Sequence, residues 1–379
     1  MRGRRISVAE TSGSMSNRSA EPFLDPDRII SARTRRGMTK SDLARALGIT
    51  PRSITRYESD GAPISAGAGL SSVLGFPEAY FTTAPLDRID PRTVNFRAAR
   101  RAGARQRDAA VAAGGIGFEV DRWISARFTL PPVSVPRRMG TDPALAARVV
   151  RSDWALGAKP LPNAVHLVES RGVRVYTLPS VAEDVDAFSC WYRDVPYIFL
   201  SRRKSPERMR FDVAHELGHL VMHPATPGDE AEQEREADQF ASEFLMPYDA
   251  LSTQVRRNPS AGEVLEARSR LKVSAMALTR ALHTTGRMSD WHYRQMCIDL
   301  AGRGYRSGEP GGMPTHEMSR VFPQVLATVR AKDIAADLNV PVEEVRVMTF
   351  GVELHAASAG SDQVVARPAA GRAGHLRVV

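Results

Sequence analysis

The pentapeptide His215-Glu216-Leu217-Gly218-His219 sets two imidazoles four residues apart, with a carboxylate beside the first. On a helix, residues at that spacing share a face, so both rings can reach one ion. Glu216 is then placed to take a proton from a metal-bound water, which is metal-assisted hydrolysis. Catalytic zinc commonly takes three protein ligands and keeps a fourth position for water. The third ligand should come from a neighbouring helix, and Glu230-Ala-Glu-Gln-Glu-Arg-Glu-Ala-Asp238 offers four glutamates. Chemistry alone does not choose among Glu230, Glu232, Glu234 and Glu236. Helical spacing groups Glu234 with Ala237, Asp238 and Ala241, and Glu236 with Phe240 and Glu243. Glu234 is the first choice and Glu236 the second, with Asp238 available to hydrogen-bond the second nitrogen of a ligand histidine. The competing reading is a buried helix with merely hydrogen-bonded histidines beside a solvated acidic face.

These side chains need a helix with a buried side and a support behind it. Phe211, Ala214, Leu217, Leu220 and Val221 recur at helical spacing, so an amphipathic helix is expected over 206–223, with another from near Glu230. Upstream, Gly172-Val-Arg-Val-Tyr-Thr-Leu, Asp186-Ala-Phe-Ser-Cys-Trp-Tyr and Pro196-Tyr-Ile-Phe-Leu are β-branched and aromatic runs that read as strands. Such strands could bind an extended substrate by strand addition. His223, Tyr192 and Tyr197 are unranked candidates to stabilise an oxyanion, His223 being alternatively a polar contact at the helix end. Residues 117–175 read as helices broken by prolines, and the last 130 residues as mostly helical.

The stretches Arg210-Phe-Asp-Val-Ala-His-Glu-Leu-Gly-His-Leu-Val-Met-His-Pro and Glu234-Arg-Glu-Ala-Asp-Gln-Phe-Ala-Ser-Glu-Phe-Leu-Met-Pro247 strongly resemble the ImmA/IrrE metallo-endopeptidases. The resemblance spans about 150–300. It implies a minimal zincin-like fold, with a small sheet beside the active-site helix. It implies zinc held by His215, His219 and Glu234, Glu216 as general base, and a helix-turn-helix repressor protein as the substrate.

The N-terminal part carries a second pattern. Thr39 can cap a helix that turns Leu43, Ala44 and Leu47 inward and stops at Gly48. Thr50 caps the next, with Pro51 in its first position. This spacing fits a helix-turn-helix and looks like the phage-repressor (XRE, Cro-type) family, although Lys40 stands where Gln is frequent. In that geometry Arg52, Ser53, Thr55 and Arg56 are candidate base contacts on double-stranded DNA, and Lys40 and Arg36 candidate phosphate contacts. Arg97, Arg100, Arg101, Arg105 and Arg107 could extend the phosphate contact or sit on a solvated connector. A homodimer is common for this class of DNA-binding module. Asp333-Ile-Ala-Ala-Asp-Leu-Asn-Val-Pro-Val-Glu-Glu-Val has similar spacing without basic residues on its second helix, so packing is expected of it.

Composition bounds these readings. The 379 residues are 42% hydrophobic and carry a net charge of +9, which allows two or three globular units and excludes disorder throughout. No apolar window approaches a membrane span, no secretory leader is evident, and two cysteines are too few for a disulfide framework, so a soluble cytoplasmic protein is expected. Residues 1–110 hold 19 Lys+Arg against 11 Asp+Glu, whereas 205–250 hold 3 against 11. Basic charge thus gathers where phosphate would be met, and acidic charge around the candidate metal ligands. The expected architecture is mainly α with a small β-sheet (α+β). Its divisions are a tail (1–24), a helix-turn-helix domain (25–84), a helical connector (85–150), a zinc metallopeptidase domain (151–250), a helical C-terminal region (251–355) and a flexible tail (356–379).

Overall fold

The computed structural model describes residues 23–87, 89, 95–98, 103–182, 184–224 and 229–351, with the backbone alone at 95–98. The tail readings at 1–22 and 356–379, and those on Arg100 and Arg101, lie outside the described residues, as does the side chain of Arg97. The molecule is mainly helical with small sheets.

The chain begins with strand β1 (Phe23–Leu24), then α1 (Pro26–Arg35), α2 (Lys40–Leu47) and α3 (Pro51–Asp60). Strand β2 (Ala62–Pro63) pairs antiparallel with β1 and is followed by α4 (Gly67–Leu74). The helix ends follow local chemistry. Thr39 accepts from the Asp42 N–H in a capping box, Gly48 closes α2 at φ 68°, and Thr50 accepts from the Ser53 N–H with Pro51 in first position. Glycine enters that left-handed conformation without a Cβ clash. Leu43, Ala44 and Ile54 are buried between these helices.

Strand β3 (Asn95–Ala98) and the long helix α5 (Ala104–Ser125) come next, followed by α6 (Pro143–Asp153) and α7 (Ala164–Glu169). Strands β4 (Arg174–Thr177), β5 (Val185–Tyr192) and β6 (Val195–Leu200) complete a four-stranded sheet in the order β3-β5-β6-β4. β5 is antiparallel to both neighbours, and β4 runs parallel to β6. Arg193 and Asp194 both take positive φ in the β5–β6 turn, the geometry that matches a tight hairpin to strand twist. The three expected strand runs are all present. β3 was not foreseen, because its four residues lie in an Arg/Ala-rich stretch whose composition suggests a helix or a connector.

Helices α8 (Pro206–Met222) and α9 (Glu230–Leu245) pack together, α8 also lying against β5 and β6. Across the sheet, α5 packs on the opposite face. A Cβ on Gly117 would come within 2.8 Å of both Phe199 and Met348 side-chain atoms, so this glycine permits the close approach. The remaining helices are α10 (Tyr248–Gln254), α11 (Ala261–Leu271), α12 (Ala275–Thr284), α13 (Asp290–Gly302), α14 (Val321–Leu326), α15 (Ala331–Asp337) and α16 (Val342–Met348).

Buried ion pairs join the N-terminal helices to the rest. Arg28 of α1 donates twice to Glu119 of α5, at 2.9 and 2.6 Å, with both side chains nearly dry. Glu344 of α16 receives Arg35 at 2.6 Å and Arg36 at 2.7 Å. The C-terminal helix pair packs as expected, although its second helix does carry a basic residue, Arg346, and its acidic Glu344 meets the end of α1.

Candidate metal centre

Ser205 caps α8 and Pro206 opens it, and the helix then runs under β5 with His215, Glu216 and His219 at no more than 1% exposure. α9 presents Ala237, Phe240, Ala241 and Phe244 to the interior. The two helices approach closely at Gly218, where a Cβ would meet Phe240 at 3.0–3.2 Å. A mid-helix glycine costs about 1 kcal/mol relative to alanine. Here it is required by packing, a role not evident from the pentapeptide.

That approach brings Glu234 of α9 to the histidine pair. One ligand atom from each of His215, His219 and Glu234 lies within 4.8 Å of the others. His219 Nε2 is 3.1 Å from His215 Nε2 and 3.1 Å from Glu234 Oε1, and His215 Nε2 is 3.4 Å from Glu234 Oε2. Glu236 points elsewhere, to His223 Nε2 at 2.7 Å. The two glutamates left open by chemistry are thus separated by helix rotation.

The outer contacts fix the tautomers. His215 Nδ1 lies 3.0 Å from Asp238 Oδ1, so it donates to the carboxylate and turns the Nε2 lone pair inward. His223 Nε2 donates to Glu236, which leaves His223 Nδ1 as acceptor for the Nδ1–H of His219 at 3.1 Å. The Nε2 lone pair of His219 then also faces inward. Burial, opposed by the adjacent Glu234 carboxylate, lowers the His219 pKa to about 4, so this ring is neutral near pH 7. Burial raises the Glu234 carboxyl, but its contacts with the His215 and His219 rings outweigh that and hold it well below the usual carboxylate range. Two imidazole lone pairs and a carboxylate oxygen at such separations repel unless a cation lies between them. The donor set therefore fits a divalent metal with nitrogen and oxygen ligands.

Glu216, next to His215 on α8, meets the sheet. Ser189 of β5 donates to Glu216 Oε2 at 2.6 Å, a contact the sequence reading did not assign. Period-two alternation puts Ser189 on the α8 face, together with Trp191, whose indole N–H donates to Leu220 O at 3.0 Å. The tyrosines considered for oxyanion stabilisation lie on the other face. Tyr192 stacks on Phe118 at 4.1 Å, and Tyr197 donates to Asp121 of α5 at 2.8 Å. His223 is at the cluster, engaged by His219 and Glu236.

At the N-terminal module, Arg52, Thr55 and Arg56 are exposed along α3, and Ser53 is half-buried beside Thr50, their hydroxyls 3.0 Å apart. Lys40 is partly exposed and pairs with Glu58 at 3.1 Å. Arg36 differs from the phosphate contact expected of it. It donates to Leu74 O at 2.6 Å and to Glu344, and lies over Phe76, because interior acceptors outcompete solvent there. Arg105 and Arg107 lie in the first turns of α5.

A helical molecule with H-E-x-x-H on a helix under a small sheet, and a carboxylate from the next helix, is a metallopeptidase-like fold. Residues 168–283 match the family described as the IrrE N-terminal-like domain, and residues 29–68 match the family described as helix-turn-helix. Two separate segments of the chain thus match family models, one of an XRE-type helix-turn-helix and one of an IrrE/ImmA-like peptidase domain. No curated protein matches it. The helix-turn-helix supports DNA binding and a regulatory role, and the peptidase family implies a metal ion. Among the described residues, no helix is long and apolar enough to cross a membrane.

Proposed function

We propose that the protein is a DNA-binding transcriptional regulator joined to a zinc-dependent endopeptidase that hydrolyses a peptide bond in a helix-turn-helix repressor, relieving repression. The observation that carries this reading is the convergence of His215, His219 and Glu234 beside a Glu216 carboxylate held by Ser189. His215, His219 and Glu234 would hold the metal, with Asp238 orienting His215. When bound, zinc supplies Lewis acidity and lowers the pKa of a coordinated water toward about 7. Glu216 takes the proton from the attacking water and delivers it to the leaving amine nitrogen. Ser189 would keep the Glu216 carboxylate in place for this proton transfer. Arg52, Ser53, Thr55 and Arg56 would meet base edges, Lys40 a phosphate, and the soluble, cytoplasmic chain would bind operator DNA as a homodimer. The domain divisions read from the sequence belong to the same proposal, with β3 and α5 completing the peptidase unit.

A second reading, a transcription factor whose peptidase-like domain senses a ligand or stress without proteolysis, draws on the near-complete burial of His215, Glu216 and His219. Zinc-loaded wild type and Glu216→Gln, incubated with repressors encoded nearby, separate the two. Cleavage by wild type alone supports the peptidase. Metal binding without cleavage of any neighbour supports the sensor. For DNA, Arg52→Ala and Arg56→Ala should each weaken a sequence-specific shift, and no effect of either would refute the assignment of α3 as the recognition helix.

A further inference from the structure

β3 is an edge strand of the chain's own, laid along the side of β5 where a polypeptide could otherwise add. It pairs antiparallel with β5, Asn95 opposite Ser189, Phe96 opposite Phe188 and Arg97 opposite Ala187. Ser189 is the residue whose hydroxyl holds Glu216, so this pairing runs directly beside the candidate base. β3 also touches α8. On the same edge β5 continues past Ser189 through Tyr192, and no described strand pairs with it there. Meanwhile His215 and His219 are 1% exposed and Glu216 is fully buried.

We propose that β3 is a tethered pseudo-substrate: it occupies the sheet edge along which an extended substrate segment would add, and that edge becomes free for a substrate only when it leaves. This rests on the peptidase reading and deepens it, by naming the substrate as a polypeptide segment that pairs as a strand and by naming what competes with it. Main-chain hydrogen bonds give such pairing affinity with little dependence on sequence, so a linker strand and a substrate strand compete on similar terms. Tethering places β3 at millimolar effective concentration, which keeps the edge filled against dilute polypeptide. The strand is nevertheless displaceable. It has four residues, and its register breaks between Arg97 and Ala98. It lies between the helix-turn-helix and α5, which are clamped by Arg28 and Glu119, so a shift of that module on α5 would draw on β3 directly.

The test uses the full chain and a fluorescein-labelled peptide of the sequence Thr-Val-Asn-Phe-Arg-Ala-Ala, residues 93–99. Phe96→Pro/Arg97→Pro removes two adjacent amides, whichever of them faces β5. In a Glu216→Gln background, this variant should bind the peptide at least tenfold more tightly than the chain with β3 intact. Amide exchange over Val185–Ser189 should rise in the variant and fall again when peptide is added. Equal affinity with and without β3, or unchanged exchange on β5, would overturn the proposal. A second variant, Arg97→Cys/Ala187→Cys, locks β3 by a cross-strand disulfide. The oxidised form should bind the peptide at least tenfold more weakly than the same sample after reduction, and equal binding would again overturn the proposal. Hydrolysis of repressor-derived peptides by the corresponding Glu216-containing chains tells the two readings apart. Tighter peptide binding by the proline variant without any hydrolysis leaves the strand proposal standing and sinks the peptidase. Hydrolysis at the same rate in wild type, proline variant and oxidised lock does the reverse.

Discussion

Replacing Asp238 by alanine probes the proposed metal site without requiring a known substrate. Asp238 accepts from His215 Nδ1 at 3.0 Å, and removing it frees the ring to rotate or to adopt the other tautomer, with Nε2 protonated and lost as a ligand. Outer-shell partners of ligand histidines typically contribute 10–100-fold in metal affinity, about 1.4–2.8 kcal/mol. The Asp238 side chain is 36% exposed, so water partly screens and partly replaces the contact. The loss should fall at the lower end, roughly tenfold. His223→Ala removes a partner from a drier place, since His223 is 7% exposed. Its loss should approach the upper end, about 100-fold. Zinc affinity is read by competition with a chromophoric chelator near pH 7.5, alongside urea unfolding of the metal-free protein as a check on folding. A zinc affinity within twofold of wild type for both variants would refute the outer-contact argument. Loss of binding in Glu236→Ala with full retention in Glu234→Ala would refute the ligand assignment.

Other consequences concern packing and charge. Gly218→Ala should cost about 1–3 kcal/mol by forcing Phe240 and α9 away, and should weaken zinc binding with it; unchanged urea midpoint and zinc affinity would show that the helices are free to part. Arg28→Ala strands the buried Glu119 carboxylate and should cost about 3–5 kcal/mol in urea unfolding, and a loss below 1 kcal/mol would mean that water reaches the pair. Glu169, buried and accepting from Ser319 and the Arg320 N–H, has its pKa raised to about 7 because burial outweighs those hydrogen bonds. Its folded pKa exceeds its unfolded one. Its contribution is therefore full below pH 4.5 and is lost as pH rises through 7, on the order of 3 kcal/mol. Glu169→Gln should flatten that part of the stability profile between pH 5 and 8, and profiles of identical slope would count against the shift.

The legible features were local ones. The spacing of His215, Glu216 and His219 follows from helix geometry, and the caps at Thr39, Gly48 and Thr50 depend on residues within a few positions of each other. The strands over β4, β5 and β6 announced themselves by β-branched and aromatic runs long enough to outweigh chance. Glu234 and Glu236 could be sorted onto different helix faces, but which face meets the histidines depends on how α9 rolls against α8. Phe240 and Gly218 set that roll across some 20 residues of chain. Ser189 was one polar residue within a strand until β5 was laid over Glu216. Arg36 looked like any solvent-facing arginine, and only the docking of α16 supplied Glu344 as its partner. β3 has too few residues and too basic a setting to signal a strand, and it exists as one because β5 offers an unpaired edge. Composition and spacing determined which groups this chain has for chemistry and which short elements carry them. Tertiary packing decided which groups converge, and that the chain's own strand lies beside them, because those contacts join residues that no local pattern connects.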